Sequence, residues 1–246
     1  METGETTPER ELNVHLLPTL AAPGRLAGAV AVVIDVLRAT TTIVHALAAG
    51  CKEVRPCADL DEARKLADGM RAGRVILAGE RGAEKVPGFD RGNSPREFAP
   101  SNCKGCTLVL STTNGTLALL RAAEAERVLV AGFVNYSAVC EQLRYDARPL
   151  HIVCAGSDGE PSFEDTLLAG ALIECLCDYY ELKLNDSARL AWDCFENNGH
   201  MLRSALDLGR GGQMLHGLGF DSDVAMAAAV DHFALVPELK RDPLRI

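Results

Sequence analysis

The sequence predicts an α/β fold: a doubly wound, mostly parallel sheet with helices on both faces, in three layers (α/β/α), and a helix-rich C-terminal third. Three observations predict it. Short apolar, β-branched runs recur without polar alternation, as in strands buried on both faces. Amphipathic segments of helical period fill the intervals. From Phe163 onward the apolar spacing turns helical. Strands and helices in alternation build a parallel sheet covered on both sides.

Each element follows from its residues. NVHLLP is the first expected strand and AVAVVID (Ala29 to Asp35) the second. VRPCA, RVILAG, TLVLS, RVLVAGFV and LHIVCAG are the later ones, separated by segments such as DLDEARKLADGM and GTLALLRAAEAE. The C-terminal helices are expected in EDTLLAGALIECLCDYY, SARLAWDCFENNGHMLRSALDLG and DSDVAMAAAVDH, with Asp221 and Asp223 read as helix caps. There is neither an internal repeat nor a low-complexity linker, so residues 11–246 are expected to form one domain behind a flexible tail, residues 1–10.

Composition narrows the function. With 246 residues, 48% of them hydrophobic, the chain can bury a full core. No apolar run reaches the length of a membrane span, and METGETTPER lacks an apolar signal core, so a cytoplasmic location is expected. The nine cysteines sit mostly in apolar periods, as reduced, buried thiols do. Cys103 and Cys106 form half of a zinc spacing that no second pair completes. A net charge of −9 argues against nucleic acid as a partner. Small anions stay open, since they need only a local cluster of donors.

In a doubly wound sheet, ligands bind beyond the carboxyl ends of the strands. Those ends carry the chemistry here. AVAVVID runs into Asp35, Arg38, Thr40 and Thr41; RVILA runs into Gly79, Glu80 and Arg81. TLVLS is followed by Thr112, Thr113, Asn114 and Gly115, and LHIVCA by Gly156, Ser157 and Asp158, with Glu164 and Asp165 opening the next helix. TTNGT and RATTT each suit an anion at a helix N-terminus, where free N–H groups and the helix dipole point outward. Each also suits plain N-capping. Carboxylates beside an anion site would repel the anion unless a cation lay between, and Mg²⁺ takes hard oxygen ligands and bridges to phosphate oxygens.

Familiar phosphate motifs fail. There is no GxxxxGK[ST]; GRGGQMLHGLG follows a helix and does not match GxGxxG. Glu160 stands where a cysteine-phosphatase loop beginning at Cys154 needs an arginine, and Asp35-Val-Leu lacks the second aspartate of a DxD phosphatase. The histidines at 45, 151, 200, 216 and 232 have no spaced partners.

The four stretches IDVLRATTTI, GERGAEKVPGFDRGNSPRE, STTNGT and CAGSDGEPSFED, in that order, resemble the 2-phosphosulfolactate phosphatase family. The resemblance covers nearly all of the chain after its first residues and departs from the family only in the N-terminal extension and the Cys-rich middle. It implies an α/β, Mg²⁺-dependent phosphatase hydrolysing (2R)-2-phospho-3-sulfolactate to sulfolactate and phosphate in the coenzyme M route, acting as a homodimer. Carried over residue by residue, it implies catalytic roles for Asp35, Arg38, Glu80 and Asp165. It implies phosphate or substrate binding by Thr40, Thr41, Arg81, Lys85, Asn93, Ser94, Thr112, Thr113, Asn114 and Gly115. The metal ligands would be drawn from Asp35, Glu80, Glu164 and Asp165, Asp35 foremost.

The long polar stretch Gly79–Glu97 is then expected to wrap the substrate, with Arg81, Lys85, Arg91 and Arg96 offsetting its charge and Phe89 and Phe98 as anchors. Direct attack by water and a phosphorylated aspartate both fit the residues. So do two other functions: a phosphatase for another small 2-phospho acid, such as phospholactate or phosphoglycolate, and a non-catalytic binder of a phosphorylated metabolite.

Overall fold

The computed structural model describes residues 7–70 and 73–246. In chain order the first elements are β1 (Glu9–His15), β2 (Val30–Ile34), α1 (Ala39–Ala48), β3 (Glu53–Pro56), α2 (Leu60–Gly69), β4 (Val75–Arg81) and β5 (Glu84–Lys85). Then come α3 (Pro100–Cys103), β6 (Thr107–Ser111), α4 (Gly115–Ala122), β7 (Arg127–Ala131), α5 (Tyr136–Arg144) and β8 (Leu150–Cys154). The C-terminal part holds α6 (Phe163–Cys177), β9 (Glu181–Leu184), α7 (Asp186–Asn198), α8 (Leu202–Leu208), α9 (Arg210–Gly217) and α10 (Asp221–Ala227).

The strands divide between two sheets. The larger has the order β7-β2-β8-β1-β9 and is parallel throughout. The smaller has the order β3-β6-β4-β5, parallel except for β5. Apolar runs report burial on both faces but not which strand lies alongside, so the division is invisible in the sequence. The larger sheet has the three expected layers. Val30, Val32 and Ile34 pack toward α5, α6 and α7, while Ala31 and Val33 pack toward α1 and α4. That α1/α4 layer also covers the smaller sheet at Val54, Ile76, Leu108 and Leu110. On its other side Val109 meets Ala63 and Ala67 of α2. Because the helices after adjacent β2 and β8 leave to opposite faces, the carboxyl ends of these two strands form the crevice where such sheets bind ligands.

Four details differ from the expectation. β1 begins at Glu9, inside the expected tail, and Arg10 is buried there with its guanidinium donating to the Leu143 and Arg148 carbonyls; residues 1–6 of that tail lie outside the described residues. A strand, β9, interrupts the helical C-terminal third and pairs with β1 as an edge. Its four residues, ELKL, alternate in burial, a signal too short to stand out. The stretch from Gly79 is not one loop: Gly79, Glu80 and Arg81 complete β4, and β5 folds back through Gly82 and Ala83, both at positive φ as a tight hairpin turn requires. Finally, Asp90 and Arg91 run parallel alongside β4, with Asp90 Oδ2 accepting from Leu77 N at 2.8 Å, while Phe89 and Phe98 are buried as the anchors expected of them. No described helix is long and apolar enough to cross a membrane.

Between β1 and β8, His15 Nε2 and His151 Nδ1 share a hydrogen bond of 2.9 Å inside the core. Burial first, then the neighbouring His15 ring, pushes His151 down to about 4. A histidine whose folded value lies below its unfolded one stabilises the fold fully above the unfolded value, near 6.5, and loses that contribution as pH falls toward 4. The stability difference between wild type and His151→Asn is therefore expected to shrink by roughly 3 kcal/mol from pH 7 to pH 4. Urea unfolding of both proteins measures it, and a pH-independent difference would contradict the assignment. The comparison with the variant matters, because buried carboxylates elsewhere titrate with the opposite sign.

Candidate active site

The site is assembled from strand ends of both sheets. Asp35 follows β2, Glu80 belongs to the end of β4, and Thr113 and Asn114 follow β6. With Arg38, Asn93 and the Gly156–Asp158 turn after β8, they line one cleft with a cavity volume of about 60 Å³, closed on one side by Met214 and Leu215 of α9.

Asp35 is the centre of the arrangement. Its Oδ1 accepts from Ala39 N at 3.0 Å, at the start of α1, which leaves Oδ2 without a hydrogen bond among the described residues. Thr40 locks the turn: its hydroxyl donates to Asp35 O at 2.8 Å and accepts from Asp35 N at 3.0 Å. Gly115 lets α4 come close. A Cβ there would stand 2.5 Å from Asp35 Oδ2 and 2.4 Å from Ala39 Cβ, so no other residue fits. Burial, and then the carboxylates of Glu80 and Glu164, push Asp35 up to about 7 against the opposing pull of Ala39 N–H and Arg38.

Glu80 ties the hairpin to the β6–α4 turn, accepting from Thr113 N at 2.8 Å and Ala83 N at 2.9 Å. Asp165 works in the same way one layer behind the cleft. Its two oxygens accept from Val36 N at 2.8 Å and Gly156 N at 3.1 Å, fixing the ends of β2 and β8 relative to each other. Burial, with Asp35 and Glu164 nearby, raises its carboxyl well above the usual range. Neither Asp165 nor Glu164 lines the cleft. Glu164 instead faces the start of α9, where a Cβ on Gly211 would stand 2.3 Å from its Oε1; its Oε2 is buried without a partner. The four expected metal carboxylates thus do not meet at one point, and no group of three or more His, Cys, Asp or Glu side chains able to hold a metal occurs among the described residues.

Several residues read as anion binders serve the backbone. Thr41 donates to Val36 O at 2.8 Å, a hydroxyl-to-carbonyl bond rather than a cap, while Thr112 and Thr116 each accept the other's N–H at 3.0 Å, so a capping bond is made by Thr112 at the start of α4. Arg81 spends its guanidinium on the carbonyls of Glu80, Ser111 and Ala58. Arg91 donates to Asn102 Oδ1 at 3.1 Å and lies over Phe98. Lys85 and Arg96 are exposed and, like Arg81 and Arg91, stand outside the cleft lining. The long polar stretch is therefore basic because its cations hold it together and face solvent; Glu80, Gly82, Ala83 and Asn93 are its residues that reach the cleft.

Sequence reasoning missed Asp223, read as a helix cap. It is fully buried and its side chain caps nothing: Oδ2 accepts from Arg38 Nη1 at 2.8 Å and Oδ1 from Ser94 Oγ at 2.7 Å. Arg38 also donates to Ala83 O at 2.6 Å and lies over the Phe220 ring, 4.5 Å from its centroid. Ser94 is thus a support for this pair rather than a cleft residue. A buried acid in a helix would have been the only local signal, and its partner lies 185 residues away.

Cleft residues still hold uncommitted oxygens. Asn93 Oδ1 and Thr113 Oγ1 are buried without partners, and the Gly115 N–H, at the first position of α4, has no intrahelical acceptor. Hard oxygens, one arginine and a helix N-terminus in one crevice suit a phosphoryl group and a hard cation.

The profile of the family described as 2-phosphosulpholactate phosphatase matches residues 16–242. A relative from Caldanaerobacter subterraneus subsp. tengcongensis is 38% identical over 214 residues, 87% of this chain and 89% of its own. One from Thermosynechococcus vestitus is 40% identical over 213 residues, 84% and 87% of the two chains. One from Thermotoga petrophila is 42% identical over 209 residues, 85% and 88%. All three are named probable 2-phosphosulfolactate phosphatase.

Two substitutions probe the geometry. Gly115→Ala should overpack the junction and cost about 1–3 kcal/mol in urea unfolding. Gly217→Ala, where an added Cβ meets nothing within 4 Å, is the control and should leave stability unchanged or slightly higher. Asp223→Ala strands the buried Arg38 charge and should cost about 3–5 kcal/mol. Equal stability of both glycine variants would mean that Gly115 is not held against Asp35.

Proposed function

The chain belongs to the 2-phosphosulpholactate phosphatase family, and from that membership and the geometry of the cleft we propose that it hydrolyses 2-phosphosulfolactate to sulfolactate and phosphate, with Mg²⁺ as its metal, as a step of the coenzyme M route. The reaction class is phosphoric monoester hydrolysis. One observation carries the reading: Asp35, Arg38, Glu80, Thr113 and Asn114, from three separate strand ends, line a single cleft.

The donor set fits Mg²⁺. That ion is held by one or two carboxylates together with waters and substrate phosphate oxygens, so Asp35 and Glu80 suffice where an all-protein cage is missing. Asp35 through Oδ2, Glu80, and the partnerless oxygens of Asn93 and Thr113 are the residues that would hold it. When bound, it would neutralise charge on the phosphoryl oxygens. Arg38 is pre-positioned by Asp223, Ala83 O and Phe220, and its guanidinium would bind phosphoryl oxygens and stabilise the charge that develops as the ester bond breaks. The Gly115 N–H and the α4 dipole would add to that stabilisation. Asp165 holds the backbone in register, so its loss acts through Val36 and Gly156, while Glu80, besides its place beside the metal, also ties Thr113 to Ala83.

The test is phosphate release from 2-phosphosulfolactate, 2-phospholactate and phosphoglycolate, each with Mg²⁺ and with chelator. Turnover should be fastest on the first and lost with chelator. Asp35→Asn should lose most activity and Arg38→Ala about 10²-fold or more in kcat. Near-normal turnover in both variants would refute the site, and tight binding without phosphate release would favour a non-catalytic binder.

A further inference from the structure

Resting on the reading above, we infer that Arg210 is the specificity residue that receives the substrate's remote oxyanion, the sulfonate, and that Glu160 occupies its guanidinium as an internal competitor. The charge on the cleft wall motivates this. Its charged lining residues are Asp35, Glu80 and Asp158 against Arg38, and Arg38 is already matched by the buried Asp223. A substrate bearing phosphoryl, carboxylate and sulfonate groups therefore meets no uncommitted cation on that wall.

Arg210 stands at the rim. It opens α9, and Met214, one turn on and so on the same helix face, lines the cleft. Its Nη2 donates to the carbonyl of Ser157, itself a lining residue, at 2.6 Å, and its Nη1 donates to Glu160 Oε2 at 2.5 Å. The two side chains of this pair are 55% and 68% exposed. An exposed pair of this kind is held weakly, so another oxyanion can displace Glu160. Sulfonate oxygens can accept two parallel N–H bonds from a guanidinium, as carboxylate and phosphate oxygens do.

The surroundings hold both partners in place while leaving their side chains free. Ser157 and Glu160 exchange backbone hydrogen bonds of 2.8 and 3.0 Å across a tight turn with Asp158 and Gly159 at positive φ. Glu164, packed against Gly211, sets the start of α9 beside that turn. This gives the buried Glu164 a structural part in the site although it does not line it.

The experiment is steady-state kinetics of wild type, Arg210→Gln and Glu160→Gln on 2-phosphosulfolactate and on 2-phospholactate, which keeps the phosphoryl and carboxylate groups but lacks the sulfonate. In Arg210→Gln the preference for the sulfonated substrate, as a ratio of kcat/KM values, should fall roughly ten- to a hundredfold, chiefly through KM. In Glu160→Gln the KM for 2-phosphosulfolactate should move the other way, down by several fold, because a competitor has been removed. A merely structural ion pair is broken equally by either change, so parallel shifts in the two variants overturn the inference. So does an unchanged preference in Arg210→Gln, or an equal loss on both substrates, which would assign Arg210 to the carboxylate. If wild type hydrolyses neither substrate, the proposed function falls, and this inference with it; the two failures are distinct.

Discussion

Asp35 and Gly115 belong to connections in different sheets, and the site exists because the second has no side chain. A methyl group on Gly115 would stand 2.5 Å from Asp35 Oδ2, a distance that no packing adjustment of two helix starts could absorb without moving one of them. With hydrogen in its place, the N-terminus of α4 abuts the end of β2, and the carboxyl edges of the two sheets open into the same cleft. The shared layer of α1 and α4 makes this possible, since it packs against both sheets and fixes their separation. Glu80 and Asp165 then pin the surrounding turns, each by two backbone N–H groups on different elements.

That architecture concentrates buried acid. Burial disfavours the charged form of a carboxyl and raises Asp35, Glu164 and Asp165 above their usual range, and neighbouring carboxylates add to the effect at Asp35 and Asp165. Such crowding is destabilising for the protein alone and is tolerated at sites whose task needs it. A buried pair that offsets it, Arg38 with Asp223, draws the C-terminal helices into the site. Asp223 and Phe220 hold the guanidinium from one side and Ala83 O from the other, so the long chain between α1 and α10 closes on a single side chain. The C-terminal third thus does more than pack on the sheet: α10 positions the arginine and α9 walls the cleft.

The strand-end residues could be found from sequence because the strands that carry them are parallel within each sheet, so their carboxyl ends share an edge whatever the strand order. A buried parallel strand shows as an apolar run, and the residue after it lies at the carboxyl edge wherever the strand sits in the sheet. Asp35, Arg38, Glu80, Thr113 and Asn114 were accessible in this way. The same logic overreached with Thr40, Thr41, Thr112 and Arg81, which stand at the right edge but give their hydrogen bonds to nearby backbone. Capping and ligand binding ask for the same residue types, so composition cannot separate them.

By itself the sequence determined the α/β class, the buried strands and the strand-end residues that line the candidate site, since all of these depend on patterns within a few positions along the chain. Only the tertiary structure decided that the strands form two sheets, which hydroxyls and guanidinium groups are already committed, and that Asp223 rather than a substrate holds one face of Arg38. Those outcomes depend on pairings between residues far apart in sequence, whose strength depends on distance and burial, and neither quantity is encoded locally.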